Sequence, residues 1–233
     1  SSEVIHPSAQ VHPSARLAPD VEVGPFAIIE AGAVLGAGCR IAAHAIVKAR
    51  ARLGAGVRVD HFAVVGGDPQ DLSFDPATDS GTVIGDRTVI REHVTVHRAT
   101  KAGENTVIGA DGLLMAGSHV AHDCVLGDHV ILANGCMLGG HVHVGDRAFV
   151  SGGVAVHQFC RIGRHAMVGG CSKLVQDVAP FMMADGNPAE TRFVNKVGLE
   201  RAGFSAETIA TLIKAYKTVF RAGLTLDNAL ARL

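Results

Sequence analysis

The sequence predicts an all-β fold, a left-handed parallel β-helix of six-residue repeats closed by a C-terminal α-helical cap. Three observations predict it. Aliphatic residues recur at every sixth position through most of the chain, 28 glycines accompany only 4% aromatic residues and no Trp, and helical spacing begins only after about residue 180. A core of Val, Ile, Leu and Ala with tight corners suits a repetitive β architecture, and 48% hydrophobic residues in a chain of 233 are enough to fill it.

The first run of the repeat is Ile5, Val11, Leu17, Val23, Ile29, Leu35, Ile41, Val47, Leu53, Val59 and Val65. A spacing of six fits neither the 3.6-residue period of a helix nor the two-residue alternation of a hairpin meander. It fits a short strand followed by a corner, and small or turn-forming residues stand two places on, as in VGPFA and LGAGC. Three such segments close a triangular coil of about 18 residues, whose single inward aliphatic per side stacks on the next coil.

Two breaks interrupt the run. Residues 66–82, GGDPQDLSFDPATDSGT, place Pro, Asp, Gly and Ser where an aliphatic is due, which predicts a loop thrown out of the prism. The repeat resumes at Ile84, Ile90 and Val96, and a shorter excursion at about residues 98–106 keeps the phase. The second run then continues from Ile108, Leu114 and Val120 through Leu126, Leu132, Leu138, Val144, Val150, Val156, Ile162 and Val168 to Leu174. Residues 1–180 are therefore assigned to the β-helix and 181–233 to a C-terminal helical domain. In the latter, Ile209, Leu212, Ile213, Tyr216, Val219 and Phe220 share one helical face, with Ser205 as N-cap, Gly223 as stop, and Thr225 capping a further helix in LDNALARL. Such a cap covers the open end of the prism. A prism leaves little room inside for a substrate, so sites are expected between prisms, in an oligomer with threefold symmetry.

Formal net charge is −1 with both signs scattered, which gives no basic field for nucleic acid. Apolar runs fall short of the roughly 20 residues of a membrane span and the opening SSEVIHPSAQ has no signal-peptide core, so a cytoplasmic location is expected. Five cysteines, Cys39, Cys124, Cys136, Cys160 and Cys171, form no CxxC pair and are read as reduced core residues.

The chain holds 13 histidines, and nine fall in the second part: His93, His97, His119, His122, His129, His141, His143, His157 and His165. Any one of them alone reads as a solvent-facing imidazole. His122 and His141, however, lie near corners and 19 residues apart, nearly one coil, so their rings should stack about 5 Å apart. His119 and His157 belong to neighbouring turns. Asp123 beside His122 in HVAHDC fits a carboxylate that fixes an imidazole tautomer, provided a corner brings both side chains to one side. Stacked histidines serve two chemistries. Three neutral imidazoles hold Zn²⁺ for hydration or hydrolysis, and a single imidazole removes a proton from an attacking hydroxyl. Spacing leaves both open.

HVAHDC, with IREHVTVHRAT before it and AVHQFCRIG and MVGGCS after it, resembles the UDP-N-acetylglucosamine O-acyltransferases, hexapeptide-repeat enzymes that open lipid A biosynthesis. The resemblance extends through PQDL and into GLERAGFS. It implies a homotrimer that moves an (R)-3-hydroxyacyl group from acyl carrier protein to the 3-OH of UDP-GlcNAc, with no metal and no cofactor. By motif, His122 would be the general base, Asp123 its orienting partner, and the Gly140 N–H an oxyanion donor, a contact worth about 3–4 kcal/mol. His97, His119, His141, His157 and Gln158 would line the cleft, Asp71 would reach it from the long loop, and Asn195 and Arg201 would hold the nucleotide. Gly170 would leave the acyl groove open, which favours a longer chain.

The chain departs from the family where binding groups are expected. Ser73 stands for a lysine in QDLK, Pro188 of Gly186-Asn187-Pro188 for a histidine in GNH, and Val197 and Ala202 for a glutamate and an arginine. Lys101 or Lys173 are candidates to replace the missing cation. A related acyltransferase acting on another nucleotide amino sugar, a zinc hydro-lyase on the same scaffold, and a non-catalytic paralogue are the alternatives.

Overall fold

The computed structural model describes residues 4–233, so the first three residues of the opening segment lie outside the described residues. The chain winds as a left-handed parallel β-helix. Most strands are two residues long, as in Gln10–Val11, Arg16–Leu17 and Glu22–Val23, and away from the two loops each pairs in parallel with the strand 18 residues on, for example Gln10 with Ile28; across the loops the spacing widens, as from Arg52 to Val83 and from Val89 to Leu113. Among the described residues this builds three faces of nine, eight and ten strands, here called first, second and third after the three strands just named. The usual right-handed crossover reflects the twist of long strands, and two-residue strands carry little of it.

From Val23 onward every aliphatic of the period is buried, such as Val23 at 3% exposure and Leu132 and Val150 at 0%, while at the open end Val11 and Leu17 are partly buried and Ile5 is exposed. The core holds more than the single inward residue per side that the period predicts. The residue two places earlier is also buried, as with Ala27 before Ile29, Ala45 before Val47 and Cys136 before Leu138. That position accepts only small side chains and is not uniformly aliphatic, which hides it from a hydrophobic count. It also explains four of the cysteines: Cys39, Cys124, Cys136 and Cys160 occupy it, and burial pushes the Cys124 and Cys136 thiols up to about 12. Cys171 departs from the expectation, being exposed on a corner with φ of 57°.

Corners place one residue per turn in the left-handed region. Besides glycines, fifteen other residues adopt it, among them Phe26, His44, Asp123, His141 and Phe159. Since such a conformation costs an L-residue about 1–2 kcal/mol, coil-on-coil pairing has to hold it in place.

The long loop begins after the strand Val64–Gly67 and ends at Gly81–Ile84, and the short excursion separates Thr95–His97 from Asn105–Ile108. Beyond Leu174 the last coil shortens to 16 residues, pairing Val168 with Ala184, and an antiparallel hairpin, Met182–Gly186 with Ala189–Val194, completes the third face. Helices α1 (Lys196–Arg201), α2 (Ala206–Phe220) and α3 (Leu226–Leu230) follow. Ser205 caps α2 by accepting from Thr208 N, and Thr225 caps α3 by accepting from Asn228 N. Ile209 and Tyr216 are buried, and the Tyr216 hydroxyl donates to the Arg192 carbonyl of the hairpin at 2.7 Å, which docks α2 on the prism. No helix among the described residues is long and apolar enough to cross a membrane.

Candidate functional site

Neighbouring side chains of a strand point apart, so His122 and Asp123 can meet only at a corner. Val120 points inward, and Asp123 takes φ of 62°, which swings its carboxylate back to the imidazole. His122 Nδ1 lies 2.8 Å from Asp123 Oδ2. The short excursion supplies the rest of the cradle. Thr100 Oγ1 donates to Asp123 Oδ2 at 2.7 Å, Thr100 N donates to Oδ1 at 3.2 Å, and Asp123 N donates to Thr106 Oγ1 at 2.9 Å. The carboxylate is 7% exposed and its imidazole 19%. Burial pushes the Asp123 carboxyl up, but the hydrogen bonds from Thr100 and His122 and the nearby His141 outweigh it and hold it below the usual carboxylate range.

One coil on, His141 repeats the left-handed corner. Its ring stands edge-on to His122 with centroids 5.3 Å apart, the separation that coil spacing predicts, and stacks on Phe159 at 4.5 Å. His141 Nε2 is 3.6 Å from Asp123 Oδ2. Between them Gly140 forms a floor. A Cβ there would lie 2.5 Å from His122 Cε1 and 2.7 Å from Nε2, so only glycine lets the ring take this place. The Gly140 N–H has no hydrogen-bond partner among the described residues and is free to donate.

His122 opens into a cleft of about 350 Å³ lined by Gln70, His97, His119, Met137 and the Gly139–Gly140 floor, among others. Thr95 Oγ1 lies 2.6 Å from His119 Nδ1, and His97 meets His119 edge-on at 4.6 Å. Burial, followed by the neighbouring His119 and His122, pushes His97 down to about 4, and burial likewise lowers His119. Both rings are therefore neutral at pH 7. His97 Nδ1 is buried without a partner among the described residues.

The remaining expected residues lie at varying distances from this cleft. Asp71 is exposed on the long loop, where Ser73 N and Oγ donate to its Oδ1 at 2.8 and 2.7 Å; these bonds, with His122 nearby, hold its carboxyl low. His157 and Gln158 stand one coil beyond Gly139 and Gly140 and do not line the cleft. Gly170 is on the opposite edge of the first face, where an added Cβ would meet only the Gly152 carbonyl, at 3.7 Å. Lys101 and Lys173 are both exposed, and neither lines the cleft.

Asn195 and Arg201 are not brought together with His122 within one chain. They line a second cleft of about 810 Å³, on the third face beneath α1, with an apolar floor of Ile131, Phe149, Met167, Met183 and Phe193 and a rim that includes Arg147, His129 and His165. Val197 and Ala202 lie there too. The Asn195 amide is spent locally, with Oδ1 accepting from Gly198 N to cap α1 and Nδ2 donating to the His165 carbonyl at 2.9 Å.

Among the described residues one trio has metal-capable donors close together, His122, Asp123 and His141, within 4.8 Å. It is two imidazoles and a carboxylate, not the three imidazoles that the hydro-lyase alternative needs, and Asp123 Oδ2 is already engaged by Thr100 and His122. The arrangement fits a base with an orienting carboxylate. Thr95, Thr100, Thr106 and Gln70 were not singled out in the sequence. PQDL was the only signal for Gln70 and IREHVTVHRAT the only one for Thr95 and Thr100, while Thr106 had none.

Comparison with known proteins points the same way. The family model described as UDP N-acetylglucosamine O-acyltransferase, domain 2, matches residues 177–233, and the bacterial transferase hexapeptide model matches residues 103–140. The chain is 44% identical over 171 residues to acyl-[acyl-carrier-protein]–UDP-N-acetylglucosamine O-acyltransferase of Gloeothece citriformis, a match covering 73% of this chain and 62% of that protein, so less than two thirds of that relative's length is spanned. Among solved structures, LpxA from Acinetobacter baumannii is 40% identical with a TM-score of 0.95, over 99% of this chain and 89% of that one. The UDP-N-acetylglucosamine O-acyltransferase of Moraxella catarrhalis is 41% identical with a TM-score of 0.96, over 99% and 90%.

Proposed function

We propose the following reaction for this chain, which belongs to the UDP-N-acetylglucosamine O-acyltransferase family. An (R)-3-hydroxyacyl group passes from the thioester of acyl carrier protein to the 3-hydroxyl of UDP-N-acetylglucosamine, the first step of lipid A biosynthesis. The observation that carries this reading is the His122–Asp123 pair set against the Gly140 floor. An ionised carboxylate only accepts, so Nδ1 carries the proton and Nε2 offers its lone pair. Nε2 takes the proton of the sugar hydroxyl as that oxygen attacks the thioester carbon. The Gly140 N–H stabilises the resulting oxyanion; the C–S bond then breaks, and the imidazolium returns its proton to the departing sulfur. A thioester is already activated, so alignment, proton removal and one oxyanion donor are sufficient without a metal.

In this reading His97, His119, His141, His157 and Gln158 shape the acceptor and donor path, and Gly170 leaves the acyl groove open. The β-helix, residues 1–180, carries the base, and the region 181–233 carries Asn195 and Arg201. Two half-sites on different faces of one prism support a homotrimer in which the third face of one subunit completes the His122 cleft of the next. The fully exposed Leu72 on the long loop, at 110%, fits burial against such a neighbour. The protein would work in the cytoplasm, on cytoplasmic acyl carrier protein.

The test is to incubate the protein with 3-hydroxyacyl carrier proteins of several chain lengths and UDP-GlcNAc, and to follow product by mass spectrometry. An alkali-labile ester is the expected product, and no transfer from any donor refutes the reading. One observation favours a second acceptor. The loop that presents Asp71 bears Ser73 instead of a lysine, and a fixed carboxylate without a cation suits an amine at the sugar 3-position. That acceptor would give an alkali-stable amide. Light scattering checks the trimer.

A further inference from the structure

Arg98 directly follows the cleft residue His97 at the end of the strand Thr95–His97 and is buried, with 6% exposure. Its guanidinium grips the long loop. Nε donates to Asp68 Oδ1 at 3.0 Å, Nη1 to the Thr78 carbonyl at 2.6 Å, and Nη2 to the Pro76 carbonyl at 2.7 Å. The Phe74 ring centre lies 4.8 Å from the guanidinium carbon, and Arg98 N donates to the Gly67 carbonyl at 2.8 Å. One side chain thus fastens the loop near both of its ends and at its middle.

The loop's other bonds to the rest of the fold gather at its C-terminal end, where Gly103 N donates to the Asp79 carbonyl at 2.8 Å and Ser80 Oγ donates to the Ala99 carbonyl. Between Gly67 and Gly81 it contains no strand or helix, and of residues 68–80 only Pro69 and Ser80 are buried. Arg50 adds an exposed ion pair to Asp79 at 3.1 Å, a contact that solvent screens. Hydrogen bonds from a buried, planar guanidinium are stronger and set direction. The same loop brings Gln70 to the His122 cleft and holds the Asp71 carboxylate.

We propose that Arg98 is a positioning residue of the transfer reaction: it holds loop 68–80 so that Gln70 and Asp71 stand at the rim of the His122 cleft, and it thereby sets the affinity for the acceptor sugar. This rests on the acyltransferase reading above. Lysine keeps the charge but has no fork with which to reach a carboxylate and two carbonyls at once.

Arg98→Lys and Asp68→Asn, made in the full chain, test it. Arg98→Lys is expected to raise KM for UDP-GlcNAc about tenfold or more and Asp68→Asn about threefold, with kcat and KM for the acyl donor within about twofold of wild type. The pH profile stays unchanged, and backbone amides of residues 70–79 exchange faster while those of the strands do not. An unchanged acceptor KM in Arg98→Lys overturns the proposal. So does a joint loss in kcat and both KM values alongside a lowered melting temperature, the mark of a folding defect. Failure of the acyltransferase reading shows in the wild-type protein instead, as absence of transfer. In that case unaltered protection of residues 70–79 in Arg98→Lys still overturns the clamp.

Discussion

Two edges of the same prism carry columns of stacked rings. Between the third and first faces, Phe26, His44, Phe62 and His93 succeed one another at 5.2, 5.1 and 5.3 Å. Between the first and second faces, His141 lies 4.5 Å from Phe159 and 5.3 Å from His122. His44, His93 and His141 all sit at left-handed corners, so rings stacked one coil apart follow from the winding alone, whereas His122, one residue before the left-handed Asp123, stands edge-on to His141. What sets the second column apart is what surrounds it: a carboxylate at 7% exposure, Thr100 donating to that carboxylate, Thr106 accepting from the Asp123 backbone N–H, and a glycine floor. In the first column the histidines face solvent with no carboxylate partner among the described residues. The wrapping of an imidazole, not its place in a stack, is what distinguishes the two columns.

The sharpest way to break this contrast is to remove one ring from each column. His122→Ala is expected to lower kcat by about 10³-fold with the fold intact, since a positioned base contributes that order of acceleration, whereas His44→Ala leaves turnover within about twofold. Equal losses would refute the distinction.

Next in size are changes to the wrapping. Asp123→Asn and Gly140→Ala are each expected to cost about 10²-fold in kcat, the first by losing the tautomer and the second by pushing the ring out of line. Gly135→Ala, at a corner of the other edge with φ of 68° and nothing within 4 Å, should cost stability alone. Kinetics and melting curves of the three variants decide this.

A milder expectation concerns acid. His97 titrates at about 4 when folded against 6.5 in the unfolded chain, so the unfolded state takes up its proton first as pH falls. The stability tied to a neutral His97 is complete above about 6.5, drains between there and about 4, and is level below. Asp123, held below the usual carboxylate range, adds a loss only at lower pH still. Melting curves from pH 7.5 to 4 should fall for wild type and flatten for His97→Asn; parallel curves would contradict the burial of His97. The smallest effect expected is in the first column, where Phe62→Ala, a half-exposed ring stacked on two imidazoles, should cost about 1 kcal/mol and no activity.

The inward aliphatics were legible because burial on every coil repeats the same demand at the same interval. The second inward position was not, because Ala, Cys and Val share smallness there and not hydrophobic strength. The His122–His141 spacing could be read from the coil length, but Asp123 could not be brought to His122 without knowing that its φ would be 62°. Arg98 was invisible for a different reason. Its partners at Asp68, Pro76 and Thr78 lie 20 to 30 residues away, inside a segment with no period. Asn195 caps α1 while also lining the second cleft, and capping is a role that Asn fills wherever a helix starts, so its residue type alone does not separate the two. The hairpin after Leu174 was missed because the last coil is two residues short and the period is lost there.

The corners have one more consequence, for how such a protein can change. Nineteen residues separate inward Val65 from inward Ile84 and twelve separate Val96 from Ile108, where six is the rule, yet the strands on either side stack in unbroken order. Each coil finds its register from the coil beneath it, so an insertion at a corner costs only slowly growing closure entropy, while one extra residue inside a strand would turn that strand inside out. Lineages can therefore rewrite the segment at the rim of the His122 cleft, in length as well as in sequence, without renegotiating the core. The departure at Ser73 lies in just such freely editable text.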